Sequence, residues 1–155
     1  MILATLISAI VVLQPAETVR AQIQRQYNRW GKAAKTNDVE TILAILTPDY
    51  TLKPYSGAVI PLKAYGASLR KRKKENKPVD AYETKILNLN LTVSGKTARV
   101  TSDETSRKAT VDPITKSRVS IVHIHRYLDT WVLMGGKCRL RSTVTQKEIT
   151  RTEKV

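Results

Sequence analysis

His123, His125, Tyr127, Asp129 and Trp131 stand at every second position of one stretch of the chain. In an extended strand alternate side chains share a face. Two imidazoles, a phenol and a carboxylate would therefore line up beside an indole. A histidine near a carboxylate suits general acid–base work, because burial and a charged neighbour can set an imidazole pKa near neutrality. His123, His125, Tyr127 and Asp129 are the candidate catalytic groups. The same residues would equally orient a bound molecule without chemistry, or serve as hydrogen-bonded core. His123-x-His125 could also offer two metal ligands, with Glu148 as a third. A metal centre needs at least three ligands in fixed geometry, and the spacing anchors only two, so no metal is expected.

The face these residues share follows from the neighbouring strand. Gly135-Gly136 reads as a two-residue turn, which makes opposed residue numbers sum to a constant. Leu133 would face Cys138, Trp131 Leu140, Asp129 Ser142, Tyr127 Val144, His125 Gln146 and His123 Glu148. The alternate set on the second strand carries Arg139, Arg141 and Lys147 and must face water. The row from His123 to Trp131 is thereby turned inward, with Ser142 and Gln146 beside it. Ile124, Leu128 and Val132 are left on the outer face, where they are unfavourable unless a partner covers them.

What covers the inner face must come from earlier in the chain. Ile23, Tyr27, Trp30 and Ala34 fall on one face of a helix over residues 22–35. Asn37-Asp38 can cap a shorter helix with Val39, Ile42, Leu43 and Leu46 on its apolar stripe, stopped at Thr47-Pro48. Asp49 to Pro54 reads as a short strand. Pro61 opens a third helix with Leu62, Tyr65 and Leu69 on its apolar side. From Val79 to Thr152 the chain is rich in Thr, Val and Ile, with turns at Ser94-Gly95, Asp112-Pro113 and Gly135-Gly136. The pattern is α+β: three N-terminal helices packed on one face of a strongly curved antiparallel sheet. Tyr27, Trp30, His125, Tyr127, Asp129, Trp131, Ser142 and Gln146 would line a pocket between them. Such a half-apolar pocket suits a small hydrophobic or amphipathic ligand.

Composition narrows the setting. The 155 residues carry 27 Lys+Arg against 13 Asp+Glu, a net charge of +14. One cysteine excludes an internal disulfide framework and a cysteine-based zinc site. Gly95-Lys96-Thr97 is not a phosphate loop, because Asn90 stands where the first glycine is required; no cofactor is expected. Met1 to Leu13 is apolar and uncharged, shorter than a spanning helix, and Val19-Arg20-Ala21 places small residues where a signal peptidase reads. Residues 1–21 thus read as a signal peptide of a secreted or periplasmic protein, 22–150 as one domain and 151–155 as a tail. A retained membrane anchor is the alternative, since no basic residue precedes the apolar run. Lys63, Arg70 to Lys74 and Lys77 form a basic run against Glu75. No aromatic residue interleaves them, so nucleic acid is not expected. Anionic envelope components are the partner that fits, and a solvated helix end is the simpler reading.

The order of elements and several local stretches resemble the nuclear transport factor 2-like superfamily. That superfamily includes ketosteroid isomerase, scytalone dehydratase and polyketide-cyclase-like (SnoaL-like) proteins. The passage from Trp30 to Asp38, the strand entry Leu46-Thr47-Pro48-Asp49-Tyr50 and the hairpin Arg126–Val132 with Gly136–Leu140 carry the likeness, over most of residues 22–149. The resemblance implies a cone-shaped, cystatin-like fold with a pocket inside it, and a homodimer through the outer sheet face. Cys138 departs from the tryptophan usual at that place. The oxyanion pair and base carboxylate of ketosteroid isomerase-type chemistry are not placed by these residues. The expected role is therefore non-catalytic binding of a small molecule. A lyase, isomerase or cyclase using the His/Asp/Tyr pocket is one alternative, and a basic envelope-associated structural protein another.

Overall fold

The computed structural model describes residues 16–76 and 83–154. Three helices come first: α1 (Ala16–Lys35), α2 (Val39–Ile45) and, after strands β1 (Leu46–Lys53) and β2 (Ile60–Pro61), α3 (Leu62–Lys74). Four long strands follow: β3 (Glu83–Ser94), β4 (Thr97–Val111), β5 (Arg118–Met134) and β6 (Lys137–Lys154). They form one open six-stranded sheet in the order β2-β1-β6-β5-β4-β3. The α+β class expected from the sequence holds. The sheet is mixed rather than wholly antiparallel, because β1 pairs with β6 in parallel.

Several boundaries differ from the sequence expectations. Met1 to Pro15 lie outside the described residues. α1 begins at Ala16 and runs unbroken through the expected cut after Ala21. Val19 is already in the core, 6% exposed, together with Ile23. Asp38 caps α2 by accepting from the Thr41 N–H at 3.1 Å. Leu46, expected on the apolar stripe of that helix, instead opens β1. β6 continues to Lys154, which pairs with Val119, so the expected tail is strand up to that residue.

The decisive difference lies in the closing hairpin. Gly135 and Gly136 have φ of 55° and 75°, the left-handed pair that a two-residue turn requires. Near that turn the expected register is present: Leu133 faces Cys138 and Trp131 faces Leu140. Two bulges then intervene. Thr130 pairs with Ser142 and Asp129 with Thr143, which leaves Arg141 as an extra residue. Tyr127 pairs with Thr145 and Arg126 with Lys147, which leaves Gln146 extra. The first slip turns Thr143 and Thr145 inward and Ser142 and Val144 outward. The second restores the original parity, displaced by two residues. His125 therefore faces Glu148, and His123 faces Thr150.

Two apolar clusters fasten the layers. Val19, Ile23, Ile45, Leu46 and Tyr50 pack on Val100, Trp131, Cys138 and Leu140 of the sheet. Ala33 and Ala34 of α1, Val39 and Ile42 of α2 and Leu69 of α3 form the second cluster, which binds the helices to each other.

Candidate functional site

Two glutamines one helical turn apart set α1 on the sheet. Gln22 Oε1 accepts from the Cys138 N–H at 3.1 Å, and Gln26 Nε2 donates to the Cys138 carbonyl at 3.3 Å. This clip carries Tyr27 over the inward face of β5. Its hydroxyl donates to Asp129 Oδ2 at 2.6 Å and accepts from Trp131 Nε1 at 3.2 Å. Thr143 Oγ1 donates to Asp129 Oδ1 at 2.7 Å. The Tyr27 and Trp131 rings meet edge to face at 5.2 Å. Asp129 is 5% exposed. Burial pushes its carboxyl above the usual range, while the bonds from Tyr27 and Thr143 hold it back. Burial, then the adjacent carboxylate, pushes the Tyr27 phenol far above its usual value.

Farther along β5 the inward face changes character. Three rows cross β4, β5 and β6: Ser102–Tyr127–Thr145, Glu104–His125–Glu148 and Ser106–His123–Thr150. None of these residues is Lys or Arg. The three rings of β5 stack along the strand, His125 on Tyr127 at 5.5 Å and His123 on His125 at 6.0 Å. His123 Nδ1 lies 2.8 Å from Thr150 Oγ1. His125 Nε2 lies 3.8 Å from Glu148 Oε1, and its Nδ1 is buried with no hydrogen-bond partner among the described residues. Burial lowers the His125 pKa below its usual value, opposed by Glu148. The ring is therefore neutral at neutral pH and able to take up a proton. Burial, then Glu104, Asp129 and Glu148, raises the Tyr127 phenol.

Between α1 and these rows lies an open cleft of about 1090 Å³. Tyr27, Trp30, His123, His125, Tyr127, Asp129 and Trp131, all singled out by their spacing, line it. Ser142 and Gln146 do not. The bulges turn Ser142 to the outer face beside Thr130 and leave Gln146 exposed between paired residues. Thr143 takes the place expected of Ser142. Tyr50, Tyr65, Leu52 and Glu104 also line the cleft and were not anticipated. Tyr50 and Leu52 reach it only because β1 pairs in parallel with β6; local sequence carries no sign of that pairing. Tyr65 is packed 5.7 Å from Tyr50, and burial pushes its phenol up to about 12. Glu148 stands beside His125 rather than His123. Among the described residues no three His, Cys, Asp or Glu side chains converge as metal ligands.

Helices resting on one face of a curved open sheet, with a cleft between them, define a cone-fold protein. The comparisons specify which. No family model matches the chain, and no curated protein matches it. Solved structures do. A proposed scytalone dehydratase from Novosphingobium aromaticivorans superposes with a TM-score of 0.66 at 16% identity, covering 90% of each chain. A nuclear transport factor 2-like protein from Cytophaga hutchinsonii gives 0.63 at 18%, covering 85% of this chain and 98% of that one. A cystatin-like protein of unknown function from Nostoc punctiforme gives 0.60 at 16%, covering 81% and 88%. The chain has the nuclear transport factor 2-like, cystatin-like fold.

Proposed function

We propose that the protein binds a small, flat, largely apolar organic molecule in this cleft. Gly31 is the observation that carries the reading. It sits in the interior of α1, where glycine is less favourable than alanine by roughly 0.5–1 kcal/mol. It lines the cleft, and a β-carbon there would meet no heavy atom within 4 Å. Gly66 is different, since its β-carbon would come into ordinary packing contact with the Leu43 side chain of α2 at 3.5 Å rather than into open space. At Gly31 the β-carbon would point into open space on the cleft lining, so a side chain much longer than a methyl would project into the cleft. The apolar body would lie against Tyr27, Trp30, Tyr50 and Trp131. The hydroxyls, imidazoles and carboxylates of the far rows favour a ligand end that donates hydrogen bonds.

The test uses the neutral dye Nile red. Saturable one-to-one binding is expected for the wild type, with at least about tenfold weaker binding, some 1.4 kcal/mol, for Gly31→Leu. Gly31→Ala should bind the dye and gain up to about 1 kcal/mol of stability. Equal dye affinity in wild type and Gly31→Leu would refute the proposal.

A second reading, a lyase, isomerase or cyclase, is favoured by one observation: the neutral His125 ring beside Glu148 is suited to accept a proton from a bound molecule. On that reading His125→Gln abolishes turnover of a bound compound while sparing its binding; retained turnover would exclude it.

Two copies of the chain would pair through the outer sheet face. The bulges make that face more apolar than expected, since Leu128 faces Val144 and Ile124 faces Ile149, the last 40% exposed. Sedimentation should give a dimer that Ile149→Lys dissociates, and a monomeric wild type would exclude it. Export rests on the Met1–Leu13 sequence alone. Because Val19 is part of the core, the cut would fall before it, and amino-terminal sequencing of the exported protein decides this.

A further inference from the structure

The densest run of charge, at the end of α3, is not part of the cleft lining, although Lys32 and Lys35 of the adjoining α1 end are. α3 ends in five consecutive cations, Arg70 to Lys74, every one exposed. Leu69, 3% exposed, is the last buried residue of α3. Five residues cover more than a full helical turn, so beyond Leu69 the helix carries positive charge on all sides and stands clear of the core. Cations in a last turn are favoured by the helix dipole, but the dipole does not require four of them there. The end of α1 adds to the patch. Ala33 and Ala34 share a cluster with Leu69, which brings the two helix ends together. Lys32 and Lys35 are exposed in the last turn of α1. Asp38, between the helices, has its carboxyl lowered chiefly by hydrogen bonds to Thr41 and further by Lys73 and Arg29, so those two cations flank it. Among the described residues, the acidic groups seen beside Arg29 and Arg70 to Lys74 include Asp38, Glu40 and Glu75, which the cations outnumber. The pairs Arg70–Glu40 at 3.1 Å and Lys71–Glu75 at 4.0 Å are exposed and hold little energy against a multivalent anion.

We propose that the joined ends of α1 and α3 dock this protein on an anionic bilayer surface. Five exposed cations in succession on one helix end suit a dense array of headgroup phosphates. Nucleic acid fits less well. Tyr65, the sole aromatic residue of α3, is turned against Tyr50, and Trp30 at the end of α1 is half-buried against the helix cluster and the cleft, so the run Arg70 to Lys74 has no interleaved stacking platform. Each cation near such a surface adds to binding, and added salt screens it.

The experiment is co-sedimentation with phosphatidylcholine vesicles, with and without phosphatidylglycerol, at low and high salt. Two variants with the same charge change are compared. One neutralises the helix end (Lys71→Gln, Arg72→Gln, Lys73→Gln, Lys74→Gln) and the other the sheet (Lys85→Gln, Lys96→Gln, Lys116→Gln, Lys137→Gln). Circular dichroism and Nile red binding establish that both remain folded. Wild type should bind only the anionic vesicles and release them in high salt. The helix-end variant should lose at least about tenfold in affinity, and the sheet variant less than about threefold. Equal losses would reduce the effect to net charge and overturn the proposal. So would no vesicle binding by the wild type, or tighter binding to an oligonucleotide than to the vesicles.

Discussion

The two ends of the cleft are built from one strand, but two bulges separate their registers against β6 and they are held differently. At the near end Trp131 and Asp129 are 1% and 5% exposed. Both Asp129 oxygens, the Tyr27 hydroxyl and the Trp131 N–H have partners. At the far end His123, His125 and Tyr127 are half-buried, Glu148 is exposed, and His125 Nδ1 has no hydrogen-bond partner among the described residues. The near end is joined to the core and to α1, so its polar groups are spent on holding the fold together. At the far end the contacts of the two imidazoles run to Thr150 and Glu148 of β6 rather than to α1, and this is the end to which the proposed ligand would present its polar groups. Residues alike in type and spacing thus differ in how they are held, according to what the helices and bulges bring to them.

Tyr27→Phe should do the greatest damage. It leaves Asp129 Oδ2 and Trp131 Nε1 buried without their partner, a loss of about 1–3 kcal/mol per group, read by chemical denaturation. A loss below about 0.5 kcal/mol, the range of an indifferent surface change, would contradict the near-end account. Asp129→Asn probes the same network through pH. Burial raises the Asp129 pKa, so the folded state holds that proton more tightly than the unfolded state. Stability from this group is full below the unfolded pKa and lost as pH rises through the folded value. The melting temperature of Asp129→Asn relative to wild type should therefore move in the variant's favour from acid to neutral pH. Asp103, half-buried and lowered to about 2 chiefly by its hydrogen bond from Arg126, acts in the opposite sense, but it is common to both proteins and cancels in the comparison. A difference that moves the other way would mean that Asp129 is held as a stabilised anion.

His125→Gln should change stability by less than about 1 kcal/mol, because its contact with Glu148 is a long, half-exposed pair. If it unfolds the protein, the far end is structural after all. The smallest effects belong to Ser142→Ala and Gln146→Ala, within about 0.5 kcal/mol and without effect on dye binding. A measurable loss of binding in either would restore the unbulged register.

The division between the two ends also marks how far the sequence could be read. The alternation from His123 to Trp131 is a period-two signal, and the paired glycines set the register of the residues closest to the turn. Beyond Trp131 the register depends on Arg141 and Gln146, each looped out of β6. Neither is a glycine, and neither breaks the Thr-rich pattern around it. Arg141 is drawn outward by Asp49 of β1 at 2.7 Å, a contact visible only once β1 lies beside β6. The parity restored by the second bulge explains why Glu148 was rightly placed inward yet assigned to the wrong histidine. α1 was read as starting at Gln22 because the residues before it resemble a leader; Val19 in the core shows the helix face continuing upstream.

Native mass spectrometry tests the central claim most directly. Wild-type and Gly31→Leu proteins are each exposed to the same organic extract of cells. A single one-to-one adduct on the wild type, absent from the variant, is the expected result. Adducts of equal abundance on both proteins, or none on either, would contradict a ligand-binding cleft kept open by Gly31.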